Sequence, residues 1–351
     1  MYIVISILIF GLLIAIHELG HFIAAKAFGV GVPEFAIGMG PKLLKKQGKE
    51  TLYTLRAIPM GGFCAMDGDD NKVVGEKSLF AKPMWQRIVI FISGSFLNLV
   101  AGFLILLILT GTMTALPGTT ITGFAEGFPL EGESGFLEGD RFYSVDGARV
   151  FQMQNIGFLL DMAQEDMVDV VVVRDGERVT LSNLPLERRV FQEGEAPRYG
   201  FYFAPNETPT IGDRLVYTWN SGRDIVRQLP LTIRMFARGQ AGIEDVSSVV
   251  GIVDVMNQVG SAAPTAGSAV RALAFLAALI SISVATFNLL PIPGLDGGRI
   301  FLMLISWGVM KVSGKPLNPK YEGYINTAGL FLLFGFMIFI IFQDIFQIAT
   351  R

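Results

Sequence analysis

The sequence predicts a polytopic α-helical membrane protein with about four transmembrane helices and a soluble α+β insert. Mean hydropathy is +0.50, and 17% of the 351 residues are charged, whereas soluble domains carry about 25%. Four apolar runs approach the roughly 20 residues that a membrane helix needs. Between the second and third runs, residues 114–270 contain no lysine and carry 12 arginines against 21 acidic residues. This composition indicates a separate soluble segment.

The four runs cover residues 3–22, residues 88–110, the stretch between Arg271 and Asp296, and the stretch between Glu322 and Asp344. The first run lacks the basic start and the small-residue cleavage site of a signal peptide, so we expect a membrane helix there. With the flanking residues included, the predicted membrane segments cover residues 1–28, 85–113, 269–310 and 323–351.

Lysine positions predict the orientation of these helices. All eleven lysines lie within residues 26–82 and 311–320. Because short cytoplasmic loops are enriched in Lys and Arg, we expect the connections 29–84 and 311–322 to be cytoplasmic. The long insert and both termini are then extracytoplasmic. The first and third membrane helices then run in the same direction. Polar groups near the C-terminal ends of these two helices can therefore lie at the same depth in the membrane.

The first helix contains "HELGH", with His17, Glu18 and His21. Histidines at i and i+4 share a helix face about 6 Å apart, close enough to hold one zinc ion, and the adjacent Glu can act as general base. Ionisable groups within a hydrocarbon span are costly, and a bound zinc ion offsets that cost. These are the only two histidines of the chain, so a zinc site with imidazole ligands has to be here.

Catalytic zinc takes a third protein ligand, which here has to be a carboxylate. The stretch "NLLPIPGLDGGRI" supplies Asp296 at the end of the third run. Its prolines and glycines predict a break in the helix, which membrane proteins tolerate where the backbone is buried in protein or lines a wet cavity. The alternative is a plain helix end with an interfacial Asp.

His17-Glu18-x-x-His21 together with Leu295-Asp296-Gly297 resembles the site-2 protease family of intramembrane zinc metalloproteases, closest to its bacterial RseP/RasP branch. Further stretches are similar: "EFAIGMGPKLL" and "TLYTLRAIPMGGF" resemble a membrane-associated β-region, "GSFLN" the second membrane helix, and "NTAGLFLLFGF" with "FQDI" the last helix. The resemblance implies one zinc ion per chain, Glu18 as the catalytic residue, and a multi-pass location in the bacterial inner membrane.

The resemblance also implies the substrates and the residues that bind them. Substrates would be transmembrane segments of single-span proteins, such as anti-sigma factors or signal-peptide remnants. A helical peptide bond is shielded by its own hydrogen bonds, and an unwound strand needs new partners in lipid. The expected substrate-binding residues are Asn288, Asn98, Gly61, Gly62, Phe63, Pro291 and Pro293.

Within the insert, "ESGFLEGDRFYSVDGARV" is similar to the bacterial PDZ signature, which predicts one extracytoplasmic PDZ domain over residues 114–207. We expect a helix near residues 153–164 and a hairpin around Asp175-Gly176. Such a domain binds peptides by strand addition or excludes bulky substrates, and the sequence favours neither role. Residues 208–268 should form amphipathic helices that lie at the outer membrane face, in contact with membrane lipid, or pack on the helix bundle, or a plain linker to the third membrane helix.

Two other functions fit parts of the pattern. A membrane-anchored PDZ scaffold with a vestigial metal site has no need for Glu18. A transporter or channel is disfavoured because the four spans carry one asymmetric insert and no inverted repeat. A net charge of −3 gives no sign of a nucleic-acid partner, and the single cysteine, Cys64, excludes an intrachain disulfide.

Overall fold

The computed structural model describes residues 1–68, 75–163, 167–314 and 319–350. The chain divides into two compact units. Unit 1 comprises Met1–Ile105 and Ile243–Arg351, and unit 2 comprises Leu106–Gly242. The predicted end of a helix at Gln164, and parts of both lysine-rich connections, lie outside the described residues.

Unit 1 is built mainly from helices. They are α1 (Tyr2–Ala27), α2 (Met84–Thr112, which continues into unit 2), α5 (Val249–Ala262), α6 (Ala266–Asn288), α7 (Asp296–Ser313) and α8 (Pro319–Thr350). Among the described residues, four helices are long and apolar enough to cross a membrane: α1, α2, α6 and Gly323–Thr350 of α8. The prediction of four membrane helices is therefore confirmed.

The third predicted span is interrupted, as its prolines and glycines predicted. Helix α6 ends at Asn288, and α7 begins at Asp296. Glycines allow the connecting backbone to fold tightly on itself, since a Cβ on Gly298 would overlap the carbonyl oxygen of Ile292. Gly294 has φ +100°, a conformation that side-chain-bearing residues rarely adopt.

The predicted β-region forms β1 (Glu34–Gln47) and β2 (Leu52–Ala65). Both strands are long and bent, so they pair more than once. Residues 34–37 pair with 52–55 in parallel register and with 62–65 in the opposite register, while 42–47 pair back on 52–56. Residues 62–65 therefore pair with residues 34–37 along one edge. No other described strand pairs with residues 62–65.

Two apolar clusters hold unit 1 together, one near each end of α1. The first surrounds the C-terminal half of α1 and includes Ala25, Phe35, Leu79 and Ile90. The second packs the N-terminal half of α1 against α5 and α6, with Phe10, Met256 and Leu273. The short apolar helix α5 lies within the predicted linker region, and its packing against α1 is a contact that the sequence did not indicate.

Unit 2 contains the remaining strands and two helices. They are β3 (Ile121–Phe124), β4 (Arg141–Val145), β5 (Ala148–Arg149), α3 (Gln154–Asp161), β6 (Val168–Arg174), β7 (Glu177–Leu184), β8 (Phe201–Phe203) and α4 (Ile211–Ala237). The strands form an antiparallel sheet in the order β5-β4-β6-β7 and a separate β3-β8 pair. Asp175 and Gly176, both with positive φ, form the predicted hairpin turn between β6 and β7.

The core of unit 2 is aromatic and β-branched. Phe136, Phe142 and Phe201 contact one another, and α3 contributes Ile156 and Leu159. Helix α4 packs on the same unit, because Leu231 contacts this core. Its first turn carries a capping box formed by Thr210 and Asp213.

Candidate metal centre

Helix α1 places its two histidines on one buried face. The Nε2 atoms of His17 and His21 lie 3.1 Å apart, and the exposed fractions are 9% and 6%. The four-residue spacing produces this arrangement because residues i and i+4 lie one turn apart on the same side of a helix.

Asp296 completes the group from another helix. Its Oδ2 lies 3.1 Å from His17 Nε2 and 3.3 Å from His21 Nε2. The ligand atoms of these three residues all lie within 4.8 Å of one another. Since Asp296 is the first residue of α7, the break before that helix sets the position of its carboxylate.

The chemistry of the three side chains fits a bound zinc ion. His21 donates its Nδ1–H to the carbonyl oxygen of Ile90 over 2.8 Å, so its Nε2 presents a lone pair to the site. A carbonyl partner of this kind typically orients metal-bound histidines. Two imidazole nitrogens and one carboxylate oxygen, all within 4.8 Å of one another, are ligand atoms that one metal ion between them can bind. Two nitrogens and one oxygen match a catalytic zinc site with an open fourth position.

A glycine allows α2 to approach the metal centre. A Cβ on Gly94 would overlap His21 Nε2 and lie 2.9 Å from His17 Cε1. Gly20 of α1 lies equally close to the backbone of α2, because a Cβ on Gly20 would lie 2.7 Å from the carbonyl carbon of Ser93. Both positions therefore require the absence of a side chain for α1 and α2 to pack at this distance.

Helix α8 supports the loop that precedes Asp296. The Oδ1 of Asn326 accepts a hydrogen bond from the Gly294 N–H at 2.9 Å. A Cβ on Gly329 would lie 2.5 Å from the carbonyl carbon of Pro293, so the helix and the loop are in close contact. Asn326 did not emerge from the sequence as a site residue, although a polar side chain in an apolar run is a signal that points to such a role.

Glu18 lies between the histidine pair and β2. Its carboxylate accepts a hydrogen bond from the backbone N–H of Cys64. A Cβ on Gly62 would lie 3.4 Å from Glu18 Cγ and 3.6 Å from Ile14 Cγ2. The strand thus passes alongside α1 at the position of the predicted general base.

The other residues predicted to bind substrate occupy different surroundings. Gly61, Gly62 and Phe63 are half-buried in β2, and the Arg56 guanidinium lies 4.9 Å from the Phe63 ring centre. Asn288 is half-buried at the last residue of α6, followed by the exposed Pro291 and the half-buried Pro293.

Asn98 lies in α2 and is fully buried. Its side-chain amide has no hydrogen-bond partner among the described residues, while Ser281 Oγ donates to its backbone carbonyl over 2.7 Å. This contact joins α2 to α6. A direct contact between Asn98 and a substrate would require these helices to separate.

Comparison with known proteins gives a consistent family assignment. The model of peptidase family M50 matches residues 5–336. The chain is 34% identical over 345 residues to a candidate zinc metalloprotease of Clostridium perfringens, covering 98% of each chain. It is 27% identical over 421 aligned positions to the regulator of sigma-W protease RasP of Bacillus subtilis, covering 97% of each.

Three findings agree with one another. The family model matches nearly the whole chain, four helices are candidates to span a membrane, and two histidines and one aspartate form a buried group. The chain therefore belongs to peptidase family M50 and is a zinc metalloprotease of the multi-pass membrane class that cleaves within the membrane.

Proposed function

We propose that His17, His21 and Asp296 hold the catalytic zinc ion and that Glu18 is the general base for hydrolysis of a peptide bond in a transmembrane segment. The observation that carries these roles is the convergence of three ligand atoms within 4.8 Å, next to the carboxylate of Glu18. Zinc, when bound, lowers the pKa of a water molecule to about 7.

Glu18 takes the proton that the attacking water loses as its oxygen bonds to the substrate carbonyl carbon. The same carboxylate then delivers that proton to the amide nitrogen as the C–N bond breaks. The hydrogen bond from the Cys64 N–H holds Glu18 in place for both transfers. General acid–base catalysis of this kind contributes about 10²–10⁴-fold to the rate.

Residues 61–63 of β2 are proposed to bind the unwound substrate as an added strand. One edge of this stretch is free of any described strand, and it passes beside Glu18. An unwound segment in lipid needs partners for its N–H and C=O groups, which a strand edge supplies. Asn288 offers a further donor and acceptor at the end of α6, and we propose supporting roles for Asn98, Pro291 and Pro293.

The proposed topology places unit 2, with its single PDZ domain at residues 114–207, outside the cytoplasm together with both termini. The lysine-rich connections 29–84 and 311–322 are cytoplasmic. Small antiparallel sheets flanking a helix in unit 2 support this domain, which would bind a peptide or exclude bulky substrates. Residues 208–268 connect it to the third membrane segment, 269–310.

Single cysteines test this topology, because Cys64 is the only native one. In a Cys64→Ser background, Glu187→Cys and Glu76→Cys each place a thiol at an exposed position. We expect a membrane-impermeant maleimide to label Glu187→Cys in intact cells and Glu76→Cys only after lysis. The opposite labelling pattern would invert the proposed orientation.

The proposed substrates are single-span membrane proteins, with anti-sigma factors as one class. The name of the Bacillus subtilis relative connects that protein with sigma-W regulation, which supports this class of substrate. No specific observation favours the alternative of a membrane-anchored scaffold. A scaffold has no need for Glu18, which is intact and contacts β2 beside the histidine pair.

The decisive experiment compares the parent with Glu18→Gln and His17→Ala. Each is co-expressed with a single-span model substrate whose outer domain is truncated, and each is purified for zinc analysis. We expect the parent to cleave and to hold one zinc per chain, Glu18→Gln to keep the zinc but lose cleavage, and His17→Ala to lose both. Cleavage by Glu18→Gln at the parental rate would reject the proposed base.

A further inference from the structure

Five arginines of unit 2 lie close together, four of them against two aromatic rings and the fifth, Arg141, near enough to Arg149 to interact with its charge. We name this group the arginine cluster; it comprises Arg141, Arg149, Arg178, Arg223 and Arg227. The guanidinium carbons of Arg149 and Arg178 lie 3.3 and 4.1 Å from the centre of the Tyr143 ring. Those of Arg223 and Arg227 lie 3.3 and 5.0 Å from the centre of the Phe151 ring.

The cluster is assembled by the fold, because its members come from different elements. Arg141 on β4 and Arg178 on β7 both pair with Val173 on β6, so they occupy one row across the sheet. Arg149 ends β5. Arg223 and Arg227 come from α4, and Arg227 donates a hydrogen bond to the backbone carbonyl of Arg149.

Positive charge in the cluster is poorly compensated. Of its five members, one forms an ion pair within the described part of the chain: Arg227 Nη2 lies 3.2 Å from Asp224 Oδ1. Burial and three neighbouring guanidinium groups hold the pKa of Arg149 below its usual range. The buried Nε atoms of Arg223 and Arg227 have no acceptor among the described residues.

Several other arginines of unit 2 pair with carboxylates. Arg174 binds Asp140, Arg188 binds Asp161, and Arg198 binds Glu195. Residues 114–270 are acidic overall, with 12 arginines and 21 acidic residues. The arginine cluster is therefore a positively charged region within an acidic segment. Apart from the Arg227–Asp224 pair, its guanidinium groups form no ion pair with any described residue, so the cluster offers donors to an external anion.

An apolar stripe adjoins the cluster on α4. Ile211, Leu215 and Trp219 follow one another at intervals of four residues, with exposed fractions of 79%, 52% and 61%. Arg223 continues the same spacing, so the stripe and the cluster share one side of the helix. An apolar face bearing Trp next to arginines is the pattern of helices that lie in a membrane interface.

Chain connectivity tethers unit 2 to candidate membrane helices. Helix α2 is a membrane-span candidate that ends at Thr112, and β3 of unit 2 begins at Ile121. After α4, the chain returns to unit 1 from Ile243. Unit 2 is therefore connected to membrane-span candidates before and after it along the chain, so lipid headgroups are the source of phosphate that we consider.

We propose that the arginine cluster binds the phosphate groups of anionic phospholipids while the α4 stripe inserts among their acyl chains. Guanidinium groups bind phosphate through paired N–H donors, and stacking on Tyr143 and Phe151 holds their planes in position. This contact fixes unit 2 against the bilayer surface. It involves none of the residues assigned to zinc or to the general base, so it stands independently of the proposed catalytic roles.

Tryptophan quenching in the full-length chain tests the proposal. With Trp85→Phe and Trp307→Phe, Trp219 is the remaining tryptophan. The protein is reconstituted into vesicles containing brominated phosphatidylglycerol or brominated phosphatidylcholine at equal mole fraction. We expect stronger quenching by the brominated phosphatidylglycerol, and a decrease of this preference with salt because the attraction is electrostatic. Equal quenching by the two lipids would overturn the proposal.

Two triple variants separate the cluster from general charge. Arg149→Gln with Arg178→Gln and Arg223→Gln should abolish the preference, since each arginine near an anionic surface contributes about fivefold to binding. The matched control, Arg188→Gln with Arg189→Gln and Arg198→Gln, removes the same charge from unit 2 and should keep the preference. Equal effects of the two triple variants would reject a specific site.

Two further measurements separate guanidinium geometry from charge and exclude other anions. Replacing the same three cluster arginines by lysine keeps the charge but removes the paired N–H donors and the stacking, so the preference should fall between those of the parent and the glutamine variant. A lysine variant with the full parental preference would show that guanidinium geometry does not contribute to binding. Millimolar inorganic phosphate or an acidic peptide should leave the preference unchanged, and competition by either would reassign the cluster to that ligand.

Discussion

At the scale of single residues, the metal centre depends on an absent side chain as much as on its ligands. Gly94 brings the backbone of α2 against both imidazole rings, and its Cβ position is already occupied by His21 Nε2. The ring of His21 is fixed from the opposite nitrogen by the Ile90 carbonyl. The imidazole therefore cannot move away from an added methyl group without losing this hydrogen bond.

We expect Gly94→Ala to lower both zinc content and cleavage, because the added Cβ displaces His21 from the position that faces His17 and Asp296. Zinc per purified chain and cleavage of a model substrate measure the effect. Gly111→Ala is the matched control, since it lies on the same helix with no atom within 4 Å of the added Cβ. Parental zinc content in Gly94→Ala would show that α2 can shift without disturbing the ligands.

At the scale of elements, α8 supports two distant parts of unit 1. Asn326 near its start binds the loop that carries Asp296. Asp344 near its end is buried and accepts hydrogen bonds from the N–H and Oγ of Ser248 and from the Gly251 N–H. These bonds satisfy the first N–H groups of α5, which have no partner within the helix itself.

Asn326→Leu should weaken zinc binding, because the Gly294 N–H loses its acceptor and the loop that presents Asp296 is released. An unpaired N–H in a partly buried site costs up to about 1–3 kcal/mol, which corresponds to a loss of affinity of up to about 5- to 150-fold. Competition for zinc with a chelator measures this affinity. Thr327→Leu, an exposed neighbour on the same helix, should retain the parental affinity, and equal affinity in both variants would contradict the role of Asn326.

Asp344→Ala should lower the free energy of unfolding of the detergent-purified chain by at least about 2 kcal/mol, because three hydrogen bonds to one carboxylate are lost at the start of α5. Asp344→Asn keeps an acceptor oxygen and should lose less. The shift of the unfolding temperature measures both. An unchanged unfolding temperature in Asp344→Ala would show that α5 does not depend on this cap.

At the scale of the whole molecule, the two units have separate cores and separate chemistry. Every proposed zinc ligand lies in unit 1, whereas the aromatic core and the arginine cluster belong to unit 2. A ligand that binds only the folded state stabilises the part of the protein that binds it. Zinc should therefore act on unit 1.

Removing zinc with a chelator should lower the unfolding temperature of unit 1 and leave that of unit 2 unchanged. Trp85 and Trp307 belong to unit 1 and Trp219 to unit 2, so single-tryptophan chains follow each unit separately. The shift in unit 1 should disappear in His17→Ala, which has no zinc to lose. An equal shift reported by Trp219 would show that the units unfold together.

The sequence alone determined the local features of this protein. Apolar runs predicted four membrane helices because helix formation in lipid depends on length and hydropathy. The Asp175-Gly176 turn was predictable from turn chemistry, and the histidine pair from helical spacing. Each of these features depends on residues that lie close together along the chain.

Only the tertiary structure decided the contacts between distant residues. The distance from Asp296 to the histidines, the approach of Gly94, the support from Asn326 and the position of Gly62 beside Glu18 all depend on how helices and strands pack. The arginine cluster likewise joins β4, β5, β7 and α4, which are separated along the sequence. Packing of distant elements has no local signature in the sequence, because each contact depends on the shapes of both partners.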